Sequence, residues 1–260
     1  MKPFLVALSF LTVCPAWGLK APTQRQISNS RAFYPVVGLL LGAALAALER
    51  GAREVFPPFL TAALLVAFLA VVTRGLHLDG FMDCCDGLFG GYTRERRLEI
   101  MRDSHVGSFA VAGGAALLLV KYAALLSLLV LPLAGRAWAL MLFPLLSRWG
   151  MVAALGAFPY VRRQGLGSPF HQGHAKLATG VALAAAVAVA LLGGPAGLAL
   201  LAGASALALL LGCGMSRMLG GLTGDTYGAI NEVVEVAVLV TAVALLPHGW
   251  VGPGFWLERI

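Results

Sequence analysis

The chain of 260 residues is 59% hydrophobic and only 12% charged, and its mean hydropathy is +0.85. A soluble domain of this length could not bury so much apolar surface, so the composition excludes a water-soluble globular protein and predicts a membrane protein. The formal net charge of +7 fits an anionic lipid surface or a phosphorylated substrate, and no pattern of basic and aromatic residues indicates nucleic-acid binding.

Seven apolar tracts each have about the 17 to 25 residues that a spanning helix needs. A shorter apolar segment at 4 to 16 precedes them, and its lack of a small-residue cleavage site favours a retained helix over a signal peptide. We therefore predict an all-α, polytopic membrane bundle of about seven transmembrane helices plus a short N-terminal hydrophobic helix. No linker divides the sequence, which predicts one integral-membrane domain over 1–260. The tracts lie at about 33 to 48, 59 to 73, 109 to 131, 138 to 158, 177 to 193, 195 to 212 and 233 to 250.

Lys and Arg are concentrated in alternate connections between these tracts. Four connections hold twelve of them, whereas the intervening ones hold only Arg50, Arg53 and Arg136. Positive residues favour the cytoplasmic side of a membrane protein. The pattern predicts a multi-pass protein of the cell inner membrane whose active site faces the cytoplasm. The four basic connections are 18 to 32, 74 to 108, 159 to 176 and 213 to 231.

The stretch "HLDGFMDCCDGLFGG" contains a first acidic cluster. Asp79, Asp83 and Asp86 are spaced by four and three residues, so on a helix they share one face. Three such carboxylates repel one another unless a divalent cation screens them, and oxygen ligands suit Mg²⁺ or Mn²⁺. Gly80 and Gly87 remove side chains beside the cluster and would let a ligand approach the backbone.

A solvated helix end is the simpler alternative, with the aspartates paired to Arg94, Arg96 and Arg97. The glycines argue against it, because a surface salt-bridge patch would not need them. Asp103, in the following "RRLEIMRDSHVGS", is a candidate fourth oxygen ligand or general base, and His77 is a candidate for orienting a ligand.

A second acidic cluster precedes the last apolar tract. In "GGLTGDTYGAINEVVE", Asp225, Glu232 and Glu235 lie at i, i+7 and i+10 and form one helical stripe with Gly228. Carboxylates this deep in a membrane are costly unless they face a polar interior. The stripe predicts a site shared with the first cluster, holding metal or substrate. The alternative is that acids simply stabilise the N-terminus of a helix.

Two cations lie near the middle of apolar tracts, Lys121 and Arg148. Each costs roughly 2.5 to 3.5 kcal/mol in a bilayer, so each should face the bundle interior and bind a partner. For Lys121 a structural carboxylate and a substrate phosphate both remain open. For Arg148 the planar guanidinium favours phosphate, because it can bind two oxygens at once.

Carboxylate-bound metal and buried cations in a membrane bundle suit transfer of a phosphate ester. The stretches "GLHLDGFMDCCDGLFGG" and "RRLEIMRDSHVGSFA" closely resemble the signature of the adenosylcobinamide-GDP ribazoletransferase family, also called cobalamin 5'-phosphate synthase. The resemblance extends to Lys121 and to "LSFLTVCP" at 8 to 15, "RAFYPVVGLLLG" at 31 to 42, "SRW" at 147 to 149, "QGLG" at 164 to 167 and "GLTGDTYGAINEVVE" at 221 to 235.

The resemblance implies a reaction and its site. Adenosylcobinamide-GDP and α-ribazole, or α-ribazole 5'-phosphate, would give adenosylcobalamin or its 5'-phosphate with release of GMP, in the presence of Mg²⁺. A homo-oligomer is compatible with the sequence. The implied metal ligands or catalytic base are Asp79, Asp83, Asp86 and Asp103, and the implied substrate-binding residues are Gly80, Gly87, Lys121, Arg148, Asp225, Glu232 and Glu235.

Two other functions are weighed against this one. "DCCDG" at 83 to 87 resembles the D-x-x-D-G that opens the motif of the CDP-alcohol phosphotransferases, but "FGG" replaces the expected Ala-Arg and no later pair of aspartates four residues apart follows. An ion-coupled transporter would also need acids and buried cations. It would be expected to show an internal repeat, and the sequence contains no convincing one.

Overall fold

The computed structural model describes residues 2–15, 21–131, 133–161 and 175–245. These residues form helices and no β-strand, which confirms the predicted all-α class. The stretch at 164 to 167 that supports the family resemblance lies outside them. The helices are α1 (Lys2–Leu11), α2 (Gln24–Ser30), a 3-10 turn (Arg31–Phe33), α3 (Tyr34–Ala52), α4 (Pro58–Val72), α5 (Leu76–Gly90), α6 (Arg94–Ile100), α7 (Ser108–Leu129), α8 (Leu133–Ala157), α9 (Ala175–Leu192), α10 (Gly194–Leu219) and α11 (Gly224–Leu245).

The apolar helices are those of a multi-pass membrane protein. By length and composition, five helical segments among the described residues can cross a membrane, containing α3, α7, α8, α10 and α11. Helices α4 and α5 form a further apolar pair that is bent by 88° at a short break, and α9 is apolar but shorter. Each of the seven predicted tracts contributes to a described apolar helix, with α4 as one arm of the bent pair. Among the described helices five, or six with the bent pair, are long and apolar enough to cross a membrane, so the predicted seven is approximate.

The break between α4 and α5 has a left-handed backbone. Arg74 and Gly75 have φ angles of 57° and 63°, a conformation that glycine adopts without steric penalty. The Arg74 guanidinium donates hydrogen bonds to the carbonyls of Ser9 and Phe10, at 3.1 and 3.3 Å, near the C-terminal end of α1. The chain therefore turns sharply at a point anchored to α1, and α5 leaves α4 to pack against α11 and α7.

Helix α8 lies at the centre of the bundle and contacts α3, α9, α10 and α11. In the most apolar stretch of α8, 83% of the residues are buried inside the protein, whereas the corresponding share is 33% in α7 and in α10. Helices α7 and α10 therefore lie at the periphery. Gly38 and Gly42 of α3 face α8 so closely that a Cβ atom on either would overlap the backbone of Pro144 or Met141. Small residues four apart commonly permit such close helix contact in membranes.

Candidate active site

A cavity of about 140 Å³ lies where α1, α3, α5, α8 and α11 meet. Its charged groups are the carboxylates of Asp79 and Asp225, one from each predicted acidic cluster. His77, which is 1% exposed, also contributes to its lining. Two residues that are 146 positions apart in sequence thus line one cavity, as a site shared by the two clusters requires.

Two glycines allow α5 and α11 to meet at this cavity. A Cβ atom on Gly80 would lie 2.8 Å from the carbonyl oxygen of Asp225, and one on Gly228 would lie 3.0 Å from the carbonyl oxygen of His77. Both distances are too short for ordinary carbon contacts. The glycines therefore set the separation of the two helices, and with it the approach of Asp79 to Asp225.

The start of α11 is fixed by the threonines of "LTGDTYGA". The amide of Thr226 donates to the hydroxyl of Thr223 at 3.3 Å, and the amide of Thr223 donates to the hydroxyl of Thr226 at 2.9 Å. This reciprocal arrangement satisfies amides that a helix N-terminus otherwise leaves unpaired. Asp225 consequently sits in the first turn of α11, where the helix dipole stabilises a carboxylate.

The buried charges further along α11 bind one another. The ammonium of Lys121 donates to Glu232 at 2.6 Å and to Glu235 at 2.8 Å, and Arg148 donates to Glu235 at 2.6 Å. All four side chains are at most 8% exposed. The sequence left open whether Lys121 binds a structural carboxylate or a substrate phosphate. The structure shows that it binds two carboxylates of the protein. The role of Lys121 and Arg148 in holding phosphate stays a prediction, as does a role of Glu232 and Glu235 at metal or substrate.

Asp86 contacts the backbone at the start of α7. Its carboxylate accepts hydrogen bonds from the amides of Gly107, at 2.7 Å, and Ala110, at 2.9 Å. Gly107 is the N-cap residue of α7 and has no side chain to do this itself. Asp86 thus caps a neighbouring helix, and the spacing of the aspartates alone could not reveal that contact.

Asp103 lies in the exposed connection between α6 and α7. It accepts hydrogen bonds from the amide and the imidazole of His105, at 3.0 and 2.6 Å, and these hold the pKa of its carboxyl below the usual range. Gly87 packs against the side chain of Met101 and the carbonyl of Arg97. Neither Asp103 nor Gly87 lines the cavity.

Two arginines of α6 have partners other than the first acidic cluster. Arg96 pairs with Glu99 at 2.7 Å, and Arg97 donates to the carbonyl of Gly91 at 2.9 Å. Neither of these contacts involves an aspartate of α5. The salt-bridge alternative raised by the sequence stays a prediction.

The fit to Mg²⁺ is decided by the donor set. Among the described residues no three acidic, histidine or cysteine side chains converge to form a complete metal site. Mg²⁺ does not need one, because it is usually bound through one or two carboxylates, waters and the phosphates of the substrate. Asp79 and Asp225 line one cavity and would be the two carboxylates for such a site. The four-aspartate ligand set of Asp79, Asp83, Asp86 and Asp103 stays a prediction.

Comparisons with known proteins identify the family of the chain. The family model described as cobalamin-5-phosphate synthase matches residues 3–243. The chain belongs to that family. Adenosylcobinamide-GDP ribazoletransferases of Desulfitobacterium hafniense and Alkalilimnicola ehrlichii are 39% and 44% identical to it, each over 95% of this chain and over 98% and 97% of their own length. The enzyme of that name from Stutzerimonas stutzeri is 43% identical over 92% of this chain and 97% of its own. No solved structure matches the chain.

For this member of the cobalamin-5-phosphate synthase family, the structure adds residues that the sequence did not single out. Phe10, Tyr34 and Tyr227 line the cavity with aromatic rings. Arg31 is 1% exposed and lies near the phenol groups of Tyr34 and Tyr227. Sequence alone offered one signal for them, their position inside "LSFLTVCP", "RAFYPVVGLLLG" and "GLTGDTYGAINEVVE".

Proposed function

We propose that this chain joins adenosylcobinamide-GDP to α-ribazole, or to α-ribazole 5'-phosphate, with release of GMP, as a Mg²⁺-dependent enzyme of the cell inner membrane. Assembly of the cobalamin nucleotide loop is the activity of its family, and the relatives above bear the name of this transferase. The observation that carries the proposal to particular residues is the meeting of Asp79 and Asp225 in one cavity.

The reaction breaks a phosphoanhydride bond and makes a phosphate ester bond. A ribose hydroxyl of the α-ribazole substrate attacks the phosphate linked to cobinamide, the bond between the two phosphates of the GDP moiety breaks, and GMP leaves with the bridging oxygen. Asp79 and Asp225 would hold Mg²⁺, which when bound stabilises the negative charge that develops on the phosphates. The proton of the attacking hydroxyl passes to a carboxylate of the site.

Lys121, Arg148, Glu232 and Glu235 form a buried network of ion pairs further along α11 from the cavity. Glu235 binds Lys121 of α7 and Arg148 of α8, so α11 is tied to both helices two to three turns beyond Asp225. The two cations and two carboxylates balance in formal charge. We assign to this network the positioning of α11, and with it the carboxylate of Asp225.

The cytoplasmic orientation is also proposed. Asp225 lies at the N-terminal end of α11, and the 213 to 231 connection that contains it belongs to the basic set. The 74 to 108 connection, with Asp79, belongs to the same set. Positive residues favour the cytoplasmic face, which is where soluble nucleotide substrates are available.

Turnover of defined substrates tests the proposal. The protein purified in detergent is mixed with adenosylcobinamide-GDP, α-ribazole 5'-phosphate and Mg²⁺, and chromatography follows GMP and the completed corrinoid. We expect equal amounts of both products and their loss on chelation of the metal. Asp79→Asn and Asp225→Asn should each lower turnover at least about 100-fold by weakening metal binding.

Glu99→Gln, at an exposed carboxylate of α6, is the control and should keep wild-type turnover. A wild-type protein that leaves these substrates unchanged but releases CMP from a CDP-alcohol would overturn the proposal in favour of the phospholipid alternative. Full activity of Asp79→Asn and Asp225→Asn would remove these two carboxylates from the site.

A further inference from the structure

Arg74 has a backbone conformation that arginine rarely adopts. Its φ angle is 57°, and no other non-glycine residue in the described part of the chain has a positive φ angle. Residues with a long side chain are strained in this left-handed region, whereas glycine and asparagine tolerate it. Either of these would make the same turn at lower cost, so the turn does not require an arginine. Because such strain is concentrated at functional sites, the side chain of Arg74 needs an explanation.

The guanidinium of Arg74 is accessible, and only part of it is used. The residue is exposed, and its hydrogen bonds to the carbonyls of Ser9 and Phe10 both use Nη2. These acceptors are neutral, so neither compensates the positive charge as a carboxylate would. Nε and Nη1 have no hydrogen-bond partner among the described residues. An anion can therefore reach the guanidinium without displacing its contact with α1.

An open cleft of about 510 Å³, which Arg74 lines, lies beside the cavity that contains Asp79 and Asp225. Leu76 and Asp79 line both the cleft and the cavity, so Asp79 stands at the boundary between them. Of the described residues that line either space, Arg74 is the one with a permanent positive charge. A phosphate in the cleft would thus have a cation beside it and a carboxylate of the proposed metal site at the boundary.

The sizes of the two spaces distinguish the two substrates. The cavity, at about 140 Å³, is close in volume to an apolar protein cavity of roughly 150 Å³ that binds benzene, so it is too small for a corrin macrocycle. The cleft falls within the roughly 300 to 1,000 Å³ of typical ligand sites, and a large ligand can extend beyond it because it is open. Leu78 and Met82 supply apolar lining. The corrinoid substrate therefore reaches Asp79 from the cleft.

We infer that the cleft binds adenosylcobinamide-GDP, with the guanidinium of Arg74 donating a charge-assisted hydrogen bond to its diphosphate. The inference rests on the proposed function and adds the residue that holds the phosphorylated part of the larger substrate. Arginine suits this task because its guanidinium stays charged and carries several N–H donors for phosphate oxygens. The diphosphate is thereby presented to Asp79.

A phospholipid headgroup offers the same phosphate chemistry as this substrate. Arg74 lies just beyond the C-terminal end of the apolar helix α4, where a headgroup is available if α4 lies in the membrane. The adjacency of the cleft to Asp79 favours the diphosphate of the substrate, because a lipid would have no use for a metal-binding carboxylate.

A binding cycle tests Arg74 without turnover. Equilibrium dialysis in an uncharged detergent, with Mg²⁺ and without α-ribazole, compares wild type and Arg74→Asn in their affinities for adenosylcobinamide-GDP and for adenosylcobinamide, which lacks the diphosphate. Asparagine tolerates the left-handed backbone, so the turn should persist. We expect Arg74→Asn to lose about tenfold in affinity for adenosylcobinamide-GDP, the worth of one hydrogen bond to a charged group, and none for adenosylcobinamide. Arg74→Lys, which keeps the charge, should lose less.

Arg96→Gln is the matched control. Arg96 is an exposed arginine that pairs with Glu99 and does not line the cleft, so its replacement should leave both affinities unchanged. An equal loss for both corrinoids in Arg74→Asn would assign Arg74 to the anchoring of α1 alone and contradict the inference. Unchanged affinity for adenosylcobinamide-GDP, with less phospholipid retained through purification than in the wild type, would assign the guanidinium to a lipid headgroup instead.

These outcomes are separate from those of the turnover assay. Binding is measured without α-ribazole, so it does not depend on GMP release. If the wild type forms both products while Arg74→Asn binds adenosylcobinamide-GDP equally tightly, the role of Arg74 is refuted and the transferase stands. If the wild type forms no product but Arg74→Asn still shows the selective tenfold loss, the binding role stands and the proposed reaction is refuted.

Discussion

At the scale of single residues, the charges buried among α7, α8 and α11 are arranged as a neutral set. Glu235 accepts hydrogen bonds from both Lys121 and Arg148, and Glu232 accepts one from Lys121. Taking one charge from such a set leaves the others buried without compensation, which is far more costly than losing an exposed pair. The set therefore stabilises the contact between these helices only while it is complete.

Replacing Glu235 by Gln tests that claim. The change keeps the size of the side chain but removes a negative charge shared by two cations, and we expect the free energy of unfolding to fall by about 3 to 5 kcal/mol. Thermal unfolding in detergent, followed by the loss of monodisperse protein, measures it. Glu99→Gln, in the exposed pair with Arg96, is expected to cost below about 1 kcal/mol. Equal melting of the two variants would show that the buried set contributes nothing.

The sequence predicted that Lys121 and Arg148 face the interior, but it could not identify their partners. Membrane insertion energies demand a partner for each cation, and they do not say whether it belongs to the protein or the substrate. The carboxylates that bind them are 87 to 114 residues further along the chain. Only the packing of α11 against α7 and α8 brings these groups together.

At the scale of helices, Asp86 joins α5 to the start of α7. Its two carboxylate oxygens accept the amides of Gly107 and Ala110, so it serves α7 as an N-cap residue normally would. For Asp86→Ala we expect a loss of about 0.5 to 2 kcal/mol of stability, with the Mg²⁺ concentration needed for half-maximal turnover unchanged. Thermal unfolding and a metal titration measure the two effects. If Asp86→Ala keeps the unfolding temperature of the wild type but needs more Mg²⁺ for half-maximal turnover, Asp86 would instead be a metal ligand.

The crossing of α5 and α11 depends on Gly80. An alanine there would place its Cβ 2.8 to 2.9 Å from the backbone of Asp225, so the two helices would have to separate. Because displacements of about 1 Å at a reacting centre cost on the order of 100-fold in rate, we expect Gly80→Ala to lower turnover by that order. The turnover assay measures it in protein that elutes as folded in detergent.

Gly90→Ala is the control on the same helix. The nearest atom to a Cβ on Gly90 is 3.7 Å away, an ordinary contact, so the helix should accept it without a loss of turnover. Similar activities for Gly80→Ala and Gly90→Ala would show that the close approach of α5 to α11 does not matter for catalysis.

Helical periodicity was enough to predict which residues share a face, but not what each face meets. The spacings of Asp79, Asp83 and Asp86 predicted one acidic stripe on α5, and that stripe does lie on one helix. Asp79 nevertheless lines the cavity, whereas Asp86 caps α7. The difference arises from the neighbours of α5, which follow from the sharp bend at Arg74 and Gly75. A left-handed arginine before a glycine has no sequence signature of its own.

At the scale of the whole molecule, two features predict the orientation in the membrane. The distribution of Lys and Arg and the path of the helices should place each connection on the same side. Helix α3 runs from the basic connection at 18 to 32 to the connection between α3 and α4, and α7 begins after the basic connection at 74 to 108. If basic connections face the cytoplasm, Tyr92 lies on the cytoplasmic side and Val55 on the opposite side. Both side chains are well exposed, at 92% and 74%, so each position can report its side.

Single cysteines at these positions test the orientation. In a protein whose four native cysteines are replaced by alanine, Tyr92→Cys should react with a membrane-impermeant maleimide only in inverted vesicles or after lysis. Val55→Cys should react in intact spheroplasts, because its connection faces outward. Labelling of Tyr92→Cys from outside would place Asp79 and Asp225 away from the cytoplasmic nucleotide substrates. Labelling of both positions from the same side would contradict a crossing of the membrane between the two connections, and with it the assignment of α4 as a spanning arm of the bent pair.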